Sequence, residues 1–488
     1  MVLKIVGAAV SAFFPTQYAV HIAIAIVTIL LLHAFSQGRT TNRERDLHGR
    51  TILVTGGFTP TGLTILQSLA QRGAHIIALS PRPIDSPEVT IIITLLRTTF
   101  SNEQIFAEQC DLESPSSIRS FCTRFLTGSD QRLDAVIFAH EYQHIGSAVF
   151  LSRKQPPSGE ASKREAGSLA TFLITTLLLP ALFVAPVERD IRIITVVNPF
   201  YAAAAGPAFS IPFLSRTTSG TLQARPIFLQ EGIRSLRTSI FTRHLQRILD
   251  ALPNAQVPKT DDTTSTVPVV SSKVQKSNIV ALSVSPGISR VDTIAPLLNA
   301  DWTSPSGYSL KGIFIYLLLQ PLLRILTKSP ASSIQTVLHV LFLPTPFKVL
   351  SQAGAKSPAE ATQKPAKGSP IDSSLTEMPE EILKPGALYA ECAVVKLKVP
   401  APKEPSGPEK AADKKEKGKA KAGPEEVLEI PDDGEFGGEV MGRLVWEAYE
   451  DALKAWEAAN PPPPDPSPTA TDVDVDEGVQ GSESATSS

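Results

Sequence analysis

The chain has 488 residues, enough for one large domain with insertions or for two ordinary domains. A net charge of −2 at pH 7 argues against a nucleic-acid binder. Three scattered cysteines, Cys110, Cys122 and Cys392, exclude a disulfide framework and a cysteine-rich zinc site and suit a thiol-reducing compartment.

Residues 18–35 form a run of 18 without Asp, Glu, Lys or Arg. As a helix it spans about 27 Å, close to the thickness of a bilayer core. Arg39, Arg43, Arg45 and Arg50 follow it, whereas only Lys4 precedes it. That asymmetry predicts a single-pass anchor over 1–36 with the bulk of the chain cytoplasmic, with a cleaved signal peptide as the competing reading. The endoplasmic reticulum is expected before the mitochondrial outer membrane.

From residue 48 onward, β-branched runs alternate with helical stretches. Strands are expected at 51–55, 75–79, 103–112, 134–139, 190–197, 278–284 and 387–399. Helices are expected at 63–72, 115–126, 166–183, 228–252, 311–326 (broken at Pro321), 331–343 and 442–458. The helix at 228–252 carries a basic face of Arg234, Arg237, Arg243 and Arg247. Strands alternating with helices predict βαβ units and a parallel sheet, and apolar runs without alternation fit strands buried on both faces. The fold class is therefore α/β, a Rossmann-type doubly wound parallel sheet with an N-terminal transmembrane helix and disordered insertions.

The 41 prolines exceed the average usage of roughly 5% and crowd into the last third. They place a disordered insertion at 351–384, a Lys/Pro/Glu-rich linker at 401–441 and a disordered acidic tail at 459–488. A polar mobile loop is expected at 256–277. What remains is one domain: 48–350, the late strand at 385–400 and the final helix at 442–458.

The segment Thr55-Gly56-Gly57-Phe58-Thr59-Pro60-Thr61-Gly62 joins the first strand to a helix. Glycines let the chain turn tightly there and let the backbone approach a pyrophosphate, while the helix N-terminus offers free N–H groups. A dinucleotide is the ligand this predicts, held by Thr55, Gly56, Gly57 and Gly62; a plain glycine turn is the alternative. Arg82 follows the second strand, where a guanidinium pairs with a 2′-phosphate and favours NADP over NAD. It also reads as an ordinary surface arginine. Asp111 follows the third strand, positioned either for an adenine amino group or for capping the next helix, as is Ser114. No metal site is expected.

With these residues in view, the sequence resembles the short-chain dehydrogenase/reductase superfamily, and within it the retinol-dehydrogenase and WW-domain-oxidoreductase branch. Thr55, Gly56 and Gly62 match its TGxxxGxG, with Pro60 in place of the middle glycine. Phe241-Thr242-Arg243-His244-Leu245 is similar to its FTRxL helix, and Gly386 to Cys392 to its GxYxxC strand. Ser285-Pro286-Gly287 with Thr293 resembles its PGxxxT segment, which implies a cofactor role for Pro286 and Gly287. The resemblance covers roughly 50–350, 385–398 and 442–457.

In that family a Tyr-x-x-x-Lys pair and a serine do the chemistry: lysine lowers the tyrosine pKa and serine steadies the substrate oxygen. Here the tyrosine position falls on Glu231, the lysine position on Ser235 and the serine position on Asn198, and no tyrosine has a lysine four residues on. The expected function is a membrane-anchored NAD(P)-binding protein that acts as a non-catalytic sensor or scaffold, with NADP or NAD as cofactor or the cofactor lost. The alternative is an active NADPH-dependent reductase of a lipophilic carbonyl compound. Its acid–base groups would come from Asn198, His140, Glu141, Tyr201 or Glu231. Expected partners are the dinucleotide, membrane lipid through the N-terminal helix, a lipophilic small molecule, and a protein bound by the disordered segments. A third reading is an interaction protein with no ligand, in which Pro60 closes the site.

Overall fold

A computed structural model describes residues 19–128, 132–142, 158–186, 189–206, 209, 211, 226–252, 277–301, 308–346, 381–400 and 432–461. Eight strands make one sheet: β1 Thr51–Thr55, β2 His75–Ser80, β3 Ile105–Gln109, β4 Ala135–Phe138, β5 Ile191–Val196, β6 Ile279–Ser285, β7 Leu388–Ala390 and β8 Ala393–Val395. Their order is β3-β2-β1-β4-β5-β6-β7-β8, parallel throughout except for the last pair. The order reverses between β1 and β4. In open α/β sheets that switch point is where the carboxyl ends of the strands leave a crevice for a ligand.

The longer helices are α1 Ala19–Gln37, α2 Pro60–Ala70, α3 Pro87–Phe100, α4 Pro115–Thr127, α5 Ser158–Val184, α6 Ile227–Ala251, α7 Leu310–Leu326, α8 Gln335–Phe342 and α9 Gly438–Ala459. Two apolar layers sandwich the sheet. Ile65, Leu66 and Leu69 of α2, Val89 and Ile93 of α3, and Val337 and Leu341 of α8 cover one face. Ile118 and Phe121 of α4, Leu173 of α5, Leu236 and Phe241 of α6, and Val445 of α9 cover the other. This is why β1, β4, β5 and β6 are buried along their whole length.

Chain order and packing part company late in the sequence. β7 pairs with β6, and α9 lies on α5 and α6, where Phe172, Phe241, Trp446 and Tyr449 cluster at centroid distances of 5.2–5.6 Å. The expected loop at 256–277, insertion at 351–384, linker at 401–441 and tail at 459–488 lie mostly outside the described residues, but the linker's described end, 432–441, belongs to the fold: Phe436 and Met441 are buried in the core and α9 already starts at Gly438.

Several elements differ from the sequence reading. α3 was not foreseen; Ser86 and Pro87 start it and Ser101, at φ 51°, ends it. The stretch 387–399 is a tight antiparallel hairpin and not one strand, because Glu391 and Cys392 adopt φ of 52° and 56° and turn the chain. Pro321 does not break α7. Proline removes one backbone donor, and here the flanking apolar residues carry the helix past that loss. The helix expected at 331–343 is a short turn, Pro330–Ser333, followed by α8.

α1 is apolar and exposed. It meets α7 at its end: the Ser36 hydroxyl donates to the Ile325 carbonyl, Gln37 Nε2 donates to the Thr327 carbonyl at 3.1 Å, and Ser329 N–H donates to Gln37 Oε1 at 3.0 Å. Among the described residues two helices are long and apolar enough to cross a membrane, α1 and α5. More than half of the α5 segment is buried, as a core helix would be.

Candidate active site and dinucleotide cradle

The turn after β1 has the geometry its glycines suggest. Gly56 takes φ of +66°, and a Cβ there would lie 2.6 Å from the His140 backbone nitrogen. A Cβ on Gly62 would overlap the Gly56 carbonyl. Gly57 is buried against Leu66. Thr59 caps α2, its hydroxyl accepting from Gly62 N–H at 3.0 Å. Pro60 takes the first helical position, where its fixed φ is favourable and a missing N–H costs nothing within the helix.

The phosphate donors are another matter. Pro60 has none. Thr61 N–H donates to Asp292 Oδ1 at 3.2 Å, and the Thr61 hydroxyl donates to Asp292 Oδ2 at 2.6 Å. Gly62 N–H belongs to Thr59. The backbone turn therefore fits a dinucleotide, but the donor set as arranged does not, since the protein's own carboxylate and cap already use it.

Asp292 arrives there through a spacing that the sequence reading passed over. Five residues separate Gly287 from Thr293, against three in PGxxxT. The surplus is absorbed as a π-helical turn, Arg290–Ile294, a form that recurs at functional sites. Ser289 caps it and its hydroxyl donates to Asp292 Oδ2 at 3.0 Å. The Tyr142 hydroxyl donates to the Gly287 carbonyl at 2.8 Å, which ties the segment to the end of β4. Pro286 is buried beside it.

Arg82 pairs with Glu88 of α3, and both side chains are more than half exposed. Asp111 closes a local turn, accepting from Glu113 N–H at 2.9 Å, and Ser114 is the cap of α4.

The tyrosine, lysine and serine positions are occupied by a different kind of structure. Glu231 is buried between two arginines: Arg164 Nε at 2.7 Å and Arg234 at 2.9 Å. Arg234 also reaches Glu141, with one nitrogen 3.2 Å from its carboxylate and another donating to its carbonyl at 2.8 Å. Glu141 accepts in addition from Thr171 and Ser168 at 2.8 and 3.1 Å. Arg237 pairs with Glu165 next door. Three arginines thus face three glutamates in the interior. Burial works against the Arg234 charge, yet Glu231 and Glu141 outweigh it and hold its pKa above the usual value.

The loop that carries Asn198 and helix α6 are joined to each other. Ser235 Oγ accepts from Asn198 N–H at 3.2 Å. Gly232 lies against the Phe200 carbonyl so closely that a Cβ would overlap it. The Asn198 side chain accepts from Phe200 N–H at 3.2 Å, while its buried amide nitrogen has no partner among the described residues.

His140 is fully engaged. Its Nε2 is 2.9 Å from the Gly167 carbonyl, which only accepts, so Nε2 carries the proton and Nδ1 accepts from the Thr55 hydroxyl at 2.6 Å. Burial pulls its pKa below the ordinary value and keeps the ring neutral. Burial pushes the Tyr201 phenol upward, the opposite of what a proton-transferring tyrosine needs. The structure therefore brings His140, Glu141 and Glu231 into one network, with Asn198 on the adjoining loop and Tyr201 at the start of the short helix after it.

The basic face expected on 228–252 is not a solvent face. Arg234, Arg237 and Arg247 are buried, and Arg243 and Arg247 pair with Asp433 ahead of α9. Arg164, Glu165 and Asp292 were missed altogether. Nothing in their local sequence announces a partner that lies dozens of residues away.

His244 sits against Gly442 of α9, and burial, reinforced by Arg247 and Arg443, pushes its pKa down to about 4. His140 is shifted the same way. Unfolded histidines titrate near 6.5, so the unfolded chain takes up protons that the fold refuses. Stability from both rings is complete above 6.5 and falls as pH drops below it, for His244 down to about 4, by up to about 1.4 kcal/mol per pH unit for each ring. Urea midpoints measured from pH 7 to 5 are expected to decline, and His244→Gln to flatten the decline. An unchanged slope in the variant would count against the assignment.

No family model matches the chain. The chain is similar to uncharacterized oxidoreductase pbr1 of Schizosaccharomyces pombe, 30% identical over 173 residues, covering 35% of this chain and 45% of that protein. It is 29% identical to human retinol dehydrogenase 11 over 139 residues, covering 28% of this chain and 40% of that one. The chain thus spans less than half the length of these curated relatives. Among solved structures, a short-chain dehydrogenase from Sphingobium yanoikuyae in complex with NADPH aligns at a TM-score of 0.35 with 15% identity, covering 66% of this chain and 99% of that one.

Proposed function

We propose that the chain is a divergent, membrane-anchored, non-catalytic member of the short-chain dehydrogenase/reductase superfamily serving as a dinucleotide sensor or scaffold. One observation carries the reading. Where the family has its tyrosine, Glu231 is locked between Arg164 and Arg234. A carboxylate clamped by two guanidinium groups has its oxygens committed to charge-assisted hydrogen bonds and is not free to reach a substrate oxygen. His140, the other acid–base candidate at the switch point, has both ring nitrogens committed to Thr55 and Gly167.

The dinucleotide part rests on the strand, glycine turn and helix at 51–70 and on the family. NADP is preferred to NAD on the strength of Arg82. The membrane part rests on α1 and on α7 beside it, which leaves Leu310, Phe314, Leu317 and Leu318 exposed. With Arg45 tied to Asp190 inside the fold, the cytoplasmic placement of the domain rests chiefly on Arg39 and Arg43, and the endoplasmic reticulum remains the first choice of membrane.

The test uses the full chain. It is expected to stay in the membrane pellet through an alkaline carbonate wash and to leave only with detergent; release by carbonate alone would remove the anchor from the reading. In detergent it is expected to show no substrate-dependent NADPH oxidation with retinoid, steroid, lipid-ketone or sphingoid carbonyls. Turnover abolished by Glu231→Gln would instead establish the alternative, an NADPH-dependent reductase of a lipophilic carbonyl.

A further inference from the structure

We propose that Asp292 is a latch that holds the dinucleotide cradle shut, so that a dinucleotide binds only by displacing the 286–294 segment from α2. The proposal rests on the dinucleotide reading above and adds its regulation.

An anion at the start of a helix is held by the first free N–H groups and the positive end of the dipole. At α2, the first position is proline, the second N–H and its hydroxyl are bonded to the two oxygens of Asp292, and the third N–H is bonded to its own cap. The carboxylate thus stands where a phosphate would be drawn. Both are anions, and two like charges cannot share one small set of donors without a large penalty.

The latch is built and not incidental. Thr61 and Asp292 are both buried, at 2% and 8% exposure. The π-helical turn presents the carboxylate, and the Ser289 hydroxyl holds its second oxygen at 3.0 Å. The segment is pinned at its other end by Tyr142 through Gly287 and by a bridge between Ser289 and Lys328. It also leads to the membrane-facing helix. Ser309, the cap of α7, donates its N–H to the Asn299 carbonyl at 2.9 Å, and Gly312 packs against the Leu298 carbonyl. The latch therefore lies between the cradle and the apolar surface of α7, a fitting place for a sensor to couple occupancy to the membrane.

The test measures dissociation constants for NADPH and NADH on the full chain in detergent, by ligand fluorescence or calorimetry. Asp292→Asn keeps the shape and removes the charge; Asp292→Ala removes the group. Both are expected to bind at least about tenfold more tightly than the wild type, about 1.4 kcal/mol. Thr61→Val deletes only the hydroxyl contact and keeps the N–H. It is expected to tighten binding by a smaller factor, and it serves if either Asp292 variant fails to fold. Wild-type binding as tight as in the variants would overturn the latch and leave the dinucleotide reading standing. No binding by the wild type or any folded variant would overturn both.

Discussion

Replacing Arg234 by methionine is expected to destabilise the protein by about 3–5 kcal/mol. The change removes one charge from a buried set in which Glu141 and Glu231 both depend on it. Losing one partner of a buried pair leaves the other charge unsolvated, and that is what costs, more than the net worth of the pair. For a domain of this size the melting temperature should fall by roughly 10 °C. Adding Glu141→Gln to the variant neutralises one of the orphaned acids and should restore part of the loss, the coupling expected of residues in contact. Thermal unfolding of the full chain in detergent reads both. A neutral Arg234→Met would mean that Glu231 is not held as an ion pair, and would return it to the roster of proton donors.

Gly62→Ala is the second large effect. Its methyl would overlap the Gly56 carbonyl, a backbone atom that cannot rotate away. The expected cost is about 3 kcal/mol or more, through the strain of moving the β1 turn or the start of α2. Gly57→Ala is the control within the same turn. There the nearest atom is Leu66 Cδ1 at 3.1 Å, the far end of a side chain that can shift. The two variants should therefore separate by soluble yield and by melting temperature, with Gly57→Ala near the parent. Equal behaviour would show that the turn is looser than its close contacts imply.

These predictions mark where sequence reading carried and where it stopped. The strand at 51–55, its glycine turn and the helix behind it were legible because their signals are local: β-branched residues, a positive-φ position, a proline suited to a helix start. That no tyrosine has a lysine four residues on was legible too, since it is a statement about spacing. The replacement was not. Four arginines on 228–252 read as a basic face and nothing more, because helical periodicity cannot say whether acids wait on the neighbouring helices. Burial of Arg234 and Arg237 came from α5 and from the end of β4, which supply Glu165 and Glu141.

Pro60 shows the same division. By its position it read as a lost glycine and a closed site. In the fold it is a favourable first residue of α2, and what occupies the donors is Asp292.

The sequence by itself determined the parallel αβ frame, the glycine turn at the switch point and the absence of any Tyr-x-x-x-Lys spacing, because these depend on short-range pattern. Only the tertiary structure decided that Glu231 and Glu141 are tied down by Arg234, the latter pair 93 residues apart, and that Asp292 reaches Thr61 across 231 residues. The physical reason is that charge pairing and donor satisfaction are settled by which distant segments share a dry interior, and no local pattern carries that.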